Sequence, residues 1–287
     1  VEGLTDPLIL GLFGAAPLVL AAVGFTLIYY LNGFINVAYA ENMTLGAYLA
    51  VLFNVKLGWD FYLTIIPSAL LAGLLSVGTF VLVFRPAMRR GVGPTELIIL
   101  SVGLSFAIRF GCRLLFGIKL YLFDTGKPAY FNLLGIGITD YQLTALALAA
   151  AMAVGLYLFI FRTRYGEQMR ALAGNRDLAK ASGINPNQVS ILIWFIAGVA
   201  GGLAGIFYGV FSFVNADIGW NLILIIIMIS ILGRVGNVRG ALAVGVGAGI
   251  VVAFITQVTQ PLYAQVVLLV LFVLVLKMTR RSLAMRG

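Results

Sequence analysis

Four uninterrupted apolar runs dominate the chain: Leu8 to Tyr30, Phe61 to Phe84, Tyr141 to Phe161 and Gln188 to Val214. A bilayer core about 30 Å thick is crossed by about 20 apolar residues in a helix, so each run predicts a full span. Five more runs are shorter or broken by polar residues: Met43 to Val55, Thr95 to Phe116, Trp220 to Leu232, Ala241 to Gln257 and Leu262 to Leu276. The pattern predicts an all-α polytopic integral membrane protein of about 8–10 transmembrane helices, with nine as the working number. Residues 1–287 read as one transmembrane domain.

The basic residues fall between these runs and divide unevenly under nine spans. Arg85, Arg89, Arg90, Arg162, Arg164, Arg170, Arg176, Lys180, Arg234, Arg239, Lys277, Arg280, Arg281 and Arg286 lie on one side. Only Lys56, Lys119 and Lys127 lie opposite, and Arg109 and Arg113 fall inside a span. Basic connections stay in the cytoplasm, which puts the N-terminus outside and the C-terminus inside. Glu2 and Asp6 precede the first run and no base does, so a cleavable secretory signal is not expected.

Composition agrees and removes most chemistry. The chain is 62% apolar and 10% charged, against about 25% charged in a soluble domain. It has no histidine and a single cysteine. That excludes a Ser-His-Asp triad, a Cys-His pair, His-bearing zinc sites and any internal disulfide, so no catalytic or metal site is expected. Cys112 lies in an apolar stretch and reads as a small buried hydrophobe. Despite the net charge of +9, no basic run is interleaved with aromatics as nucleic-acid binding would need. Four-residue glycine spacings, Gly198 and Gly202, Gly201, Gly205 and Gly209, Gly245 and Gly249, predict close helix packing inside the bundle.

Three places depart from plain span and loop. Leu31 to Tyr48, LNGFINVAYAENMTLGAY, inserts three asparagines and a glutamate into apolar sequence. Interrupted helices at membrane depth must be buried in protein or line a cavity, so Asn32, Asn36 and Glu41 are pathway candidates, with a cytoplasmic turn as the plain alternative. Residues 162–187 form the longest charged connection, where Met169, Leu172 and Ala173 recur at helical spacing. They predict one or two short amphipathic helices along the membrane surface. The third place is the Gly233 to Gly240 turn, GRVGNVRG. It is not a phosphate loop, and the only Gly-Lys pair, Gly126 and Lys127, has Tyr121 where a Walker motif needs glycine. The chain therefore carries no nucleotide site of its own. Arg109 and Arg113, four residues apart, are placed to snorkel to the interface or to attract a substrate carboxylate. Phe34-Ile35-Asn36 and Phe213-Val214-Asn215, each followed within five residues by an acid, hint at two structural halves.

Residues 24–50 resemble the early motif of the permease subunits of ATP-binding-cassette importers for branched-chain amino acids, with Ile35, Asn36, Ala38, Glu41, Leu45, Gly46, Ala47 and Tyr48 matching. Tyr39 and Ala40 stand where that family has His and Gly. Gly166, Arg170, Ala171, Asn175, Ala179, Gly183 and Ile184 are similar to the family's cytoplasmic loop. The resemblance covers roughly Leu8 to Met278 and fits the shorter of two paralogous permeases. It implies a non-enzymatic permease in the plasma membrane, with no cofactor of its own. ATP and Mg would be bound by two cytoplasmic ATPases, and a solute-binding protein would deliver substrate to a heterodimer with the paralogous permease. Leu, Ile and Val are the default substrates, with urea, amides and other amino acids as alternatives. The resemblance implies pathway residues Asn32, Asn36, Glu41, Gly46 and Tyr48, and ATPase coupling through Glu167, Arg170, Asn175, Arg176, Asp177, Ala179 and Gly183. An ion-coupled secondary transporter using Glu41 and the asparagines is the competing class. An integral membrane enzyme lacks a convincing acid-base pair.

Overall fold

The structure, a computed structural model, describes residues 2–133, 136–234 and 236–258, with 263, 266–274 and 277. Helix α1 is Glu2–Asn32, followed by a 3-10 turn at Val37–Ala40 and then α2, Glu41–Val51, which runs into a π turn at Leu52–Lys56. Helix α3, Phe61–Thr79, passes through a second π turn, Phe80–Phe84, into the short α4, Arg85–Arg89. Next come α5, Pro94–Phe116, and α6, Asp140–Arg162, then a hairpin of α7, Arg164–Gly174, and α8, Arg176–Ala181. Helices α9, Pro186–Phe211, α10, Ile218–Leu232, and α11, Val238–Val258, follow.

Among the described residues, six helical segments are long and apolar enough to cross a bilayer. Eight of the nine predicted runs coincide with helices, but the runs at α2 and α10 are short because each starts after a break in the backbone. Tyr263 and residues 266–274 of the ninth run are helical, and its other residues, like Arg280, Arg281 and Arg286, lie outside the described residues. One departure from an all-helical chain is an antiparallel hairpin, β1 (Tyr130–Leu133) with β2 (Ile136–Thr139), in register Tyr130 to Thr139. This connection is rich in aromatic and β-branched residues and too short to span, so a ladder satisfies its backbone.

Local chemistry sets the helix ends. Thr139 and Gln142 form a capping box at α6, and Asn175 and Asn185 cap α8 and α9. Pro94 and Pro186 stand in the first turns of α5 and α9, where no amide partner is lost. Helices α1 and α9 form the centre, each 72% buried across its apolar window, whereas α5, α6 and α11 show most of their surface outward. The glycine spacings are packing faces inside the bundle. A side chain at Gly205 would meet the Met43 backbone of α2, one at Gly198 would meet Ser76 of α3, and one at Gly249 would meet Ala15 of α1. Cys112 is buried and free.

The two ends of the bundle differ in charge. Arg85, Arg89, Arg176 and Lys180 line one cavity together with Asn32, so the C-terminus of α1, the elbow after α3 and the hairpin share an end. At the other end Lys56 stands 4.7 Å over the Phe116 ring, and Asn54 bonds the carbonyls of Trp59 and Asp124. The structure thus places Arg85, Arg89, Arg176 and Lys180 at the end opposite Lys56, the division the sequence predicts for these five.

Candidate functional site

The first break begins at Gly33, whose φ of +74° turns the chain out of α1 at low cost. The segment is buried inside the bundle and is not a solvated turn: Phe34, Asn36, Tyr39 and Glu41 are all at most 1% exposed. Non-helical backbone in such a place needs outside partners. Val37 N–H donates to Ser101 Oγ of α5 at 3.0 Å, Tyr39 OH donates to the Ala197 carbonyl of α9 at 3.1 Å, and Asn42 Nδ2 donates to the Tyr39 carbonyl at 2.9 Å.

Glu41 is the fully buried acid of this segment. Burying a carboxyl group is costly unless it is hydrogen-bonded, and here Ser105 Oγ donates to one oxygen at 2.7 Å and Thr44 Oγ1 to the other at 2.9 Å. Thr44 Oγ1 also accepts from Gly219 N–H at 3.0 Å, which ties the first break to the start of α10. Gly219 faces the Ala40 backbone so closely that a side chain there would collide with it.

The second break lies between α9 and α10. Its backbone pairs with the outer connection, Val214 and Tyr121 exchanging bonds of 2.8 and 2.9 Å. Asp217, at its end, accepts from Arg109 Nε and Nη2 and from Arg113 Nη2, the last at 2.8 and 2.9 Å to its two oxygens. Both guanidiniums are engaged by this carboxylate at the start of α10. Arg109 also sits 5.3 Å from the Trp220 ring centre, a cation–π contact that offsets its desolvation.

Ser101, Ser105, Arg109 and Arg113 thus form a polar stripe at four-residue spacing on one face of α5. Both breaks are fastened to it, the first by hydroxyls and the second by guanidiniums. Sequence reasoning passed over Ser101, Ser105 and Thr44, and noted Asp217 only as the acid that follows Asn215. For the two serines the available signal was that spacing on α5.

The other pathway candidates separate. Asn36 is 1% exposed, and neither its Oδ1 nor its Nδ2 has a partner; Asn32 Oδ1 and Tyr48 OH are likewise buried without one. Asn32 Nδ2 donates to the Ile28 carbonyl, and its side chain lines the cavity at the basic end. Tyr48 stacks on Phe116 with ring centres 4.4 Å apart. Gly46 meets the Gly202 backbone of α9, so its visible role is the close approach of α2 to α9.

The hairpin forms two amphipathic helices docked against the end of the bundle. Met169, Leu172 and Ala179 are buried with Leu31 of α1, Ile160 of α6, Ile193 of α9 and Ala241 of α11. Of the predicted coupling residues, Asn175 caps α8 through bonds from Asp177 N and Leu178 N, and Gly183, at φ +85°, ends the turn after it. Ala179 packs inward and Arg170 Nη1 caps the C-terminus of α6 at the Ile160 carbonyl, so these four hold the hairpin in place. Glu167, Arg176 and Asp177 remain on its outer surface. Two side chains that the sequence did not single out join them, Tyr165 at 49% and Leu178 at 66% exposed.

The interrupted helices, the polar stripe and the docked hairpin define a polytopic α-helical membrane protein with a discontinuous centre. The chain belongs to the permease components of branched-chain amino acid transport systems, a family whose model matches residues 8–276. It is 29% identical to the high-affinity branched-chain amino acid transport system permease protein BraD of Pseudomonas aeruginosa, over 94% of this chain and 92% of that one. It is 28% identical to the permease protein LivH of Escherichia coli K12, over 90% and 87%. A guanosine ABC transporter permease protein, NupQ of Bacillus subtilis, is 26% identical over 67% and 63%. No solved structure matches the chain.

Proposed function

We propose that this chain is the membrane-spanning permease of an ATP-binding-cassette importer for branched-chain amino acids. In this reading a solute-binding protein delivers leucine, isoleucine or valine to the outer face. A paralogous permease completes the pathway, and two cytoplasmic ATPases drive it from the hairpin end, with Mg and ATP held by those chains. The protein then sits in the plasma membrane with its N-terminus outside and its basic end in the cytoplasm.

The observation that carries this reading is the hairpin. Its inner face is buried against α1, α6, α9 and α11, while Tyr165, Glu167, Arg176, Asp177 and Leu178 are exposed. A rigid lever fixed to four helices and open on its outer side suits a motor on another chain. The discontinuous centre supplies what such a motor would move. The unpartnered Asn36, together with Asn32, Tyr48 and the Glu41 network, is the proposed polar lining of the pathway.

The test is reconstitution of the chain with its candidate ATPases, paralogous permease and binding protein in proteoliposomes. Uptake of leucine, isoleucine and valine that requires both ATP and the binding protein is expected. Uptake following an ion gradient without the ATPases would instead establish a secondary transporter. The relative named for guanosine favours one second substrate class, a nucleoside, so the panel includes guanosine beside urea and other amino acids.

A further inference from the structure

The elbow between α3 and α5 carries more positive charge than the fold uses. Arg85, Arg89, Arg176 and Lys180 converge on a cavity of about 540 Å³ that no carboxylate lines. The structure shows one ion pair among these four, Lys180 with Asp177 at 3.3 Å, and Asp177 itself is 94% exposed. Arg85 Nε is buried and has no hydrogen-bond partner. Four convergent cations with a buried unmet donor are an anion site by charge complementarity.

The walls say which anion. Phe80 and Leu97 of the spanning segments and Val92 of the turn between α4 and α5 form the apolar side of the cavity. Val92 also lines a second groove of about 550 Å³, shared with Leu82, Ile99 and Leu100 and rimmed by Arg90 and Glu96. Leu82 and Ile99 are 78% and 68% exposed, so this groove opens on the face that meets hydrocarbon. An acidic side chain of a soluble partner has no use for such a groove, but a lipid does.

We propose that the elbow binds an anionic phospholipid. Its headgroup phosphate sits among Arg85, Arg89, Arg176 and Lys180, and an acyl chain lies along Leu82, Ile99 and Leu100. Basic pockets between spanning helices on one membrane face bind anionic headgroups by this combination of charge and apolar contact. Arg85 and Arg89 belong to α4 and Arg176 and Lys180 to α8, so the bound headgroup would bridge the elbow to the hairpin. The inference needs the bundle and its basic end, and does not depend on the transport reading.

Native mass spectrometry of the purified full chain, titrated with dioleoylphosphatidylglycerol or dioleoylphosphatidylcholine, tests it. One phosphatidylglycerol should be retained about tenfold better than phosphatidylcholine, and Arg85→Gln with Arg89→Gln should abolish that preference. Arg85→Lys with Arg89→Lys should keep it, as should Lys119→Gln with Lys127→Gln, which removes two charges at the opposite end. Equal retention of the two lipids overturns the proposal, as does an equal loss in the Lys119 and Lys127 variant. Displacement of the lipid by millimolar inorganic phosphate alone would show a free-anion site instead. Should the glutamine pair fail to fold, Leu100→Trp fills the groove with every base intact, and undiminished lipid retention there also contradicts the proposal.

Discussion

The two breaks begin with nearly the same tripeptide, Phe34-Ile35-Asn36 and Phe213-Val214-Asn215, and each leads to an acid at a helix start. Their acids are then treated differently. Glu41 is fully buried and held by two neutral hydroxyls, whereas Asp217, 27% exposed at its side chain, is held by two guanidiniums. The depth of burial accounts for the choice. Several ionised groups are costly to desolvate together, so charged partners suit the wetter break and hydroxyls the drier one. One helix serves both, because α5 changes from serine to arginine along a single face. The two breaks meet through Thr44 and Gly219 and share one support.

Removing Asp217 should produce the largest effect. Asp217→Ala leaves two arginines unpaired and should cost about 3 kcal/mol, the low end for losing one partner of a buried pair because this one is partly wet. The thermal unfolding midpoint in detergent reads it. Changing Arg109, Arg113 and Asp217 together to leucine should recover most of the loss, and purely additive losses would remove the ion pairs from the account. Glu41→Ala comes next, at about 2 kcal/mol, since Ser105 and Thr44 lose their acceptor and a small cavity opens. Glu41→Gln, which keeps an acceptor, should cost about half as much; equal costs would mean that side-chain volume matters there and hydrogen bonding does not. Ser101→Ala should be the mildest, about 1 kcal/mol for the stranded Val37 amide. Faster hydrogen exchange at Val37 without a change at Val214 would confirm that the two breaks are supported separately.

Much of this organisation was legible in the sequence, and what was missed has a common cause. Span positions follow from apolar length, and the glycine faces from their four-residue spacing. The inward side of α7 follows from Met169 and Leu172, whereas Ala173 of the same spacing is only half-buried and Ala179, read as a coupling residue, packs inward. The partnership of Asp217 with Arg109 and Arg113 was hidden because it joins residues more than a hundred positions apart, and only the fold brings α10 to α5. The serines were silent because a serine in an apolar helix can bond its own preceding turn. Ser101 does so, with Oγ donating to the Ile98 carbonyl at 2.7 Å, while it also accepts from Val37. Arg170 and Gly46 were read as functional from their motif positions, yet their visible contacts are a helix cap and a helix crossing. The separation of bases between the two ends was legible because it depends only on counting.

The central claim is that the hairpin transmits the work of a partner ATPase to the discontinuous centre. The direct measurement is the number of ATP molecules hydrolysed per leucine imported by the reconstituted complex, for the unaltered chain and for Asp177→Arg with Leu178→Ala. Both changes lie on the exposed face and leave the buried contacts of Met169, Leu172 and Ala179 intact. The account predicts continued ATP hydrolysis with leucine uptake reduced about tenfold or more, so the ratio rises. An unchanged ratio, with uptake undiminished, would contradict it.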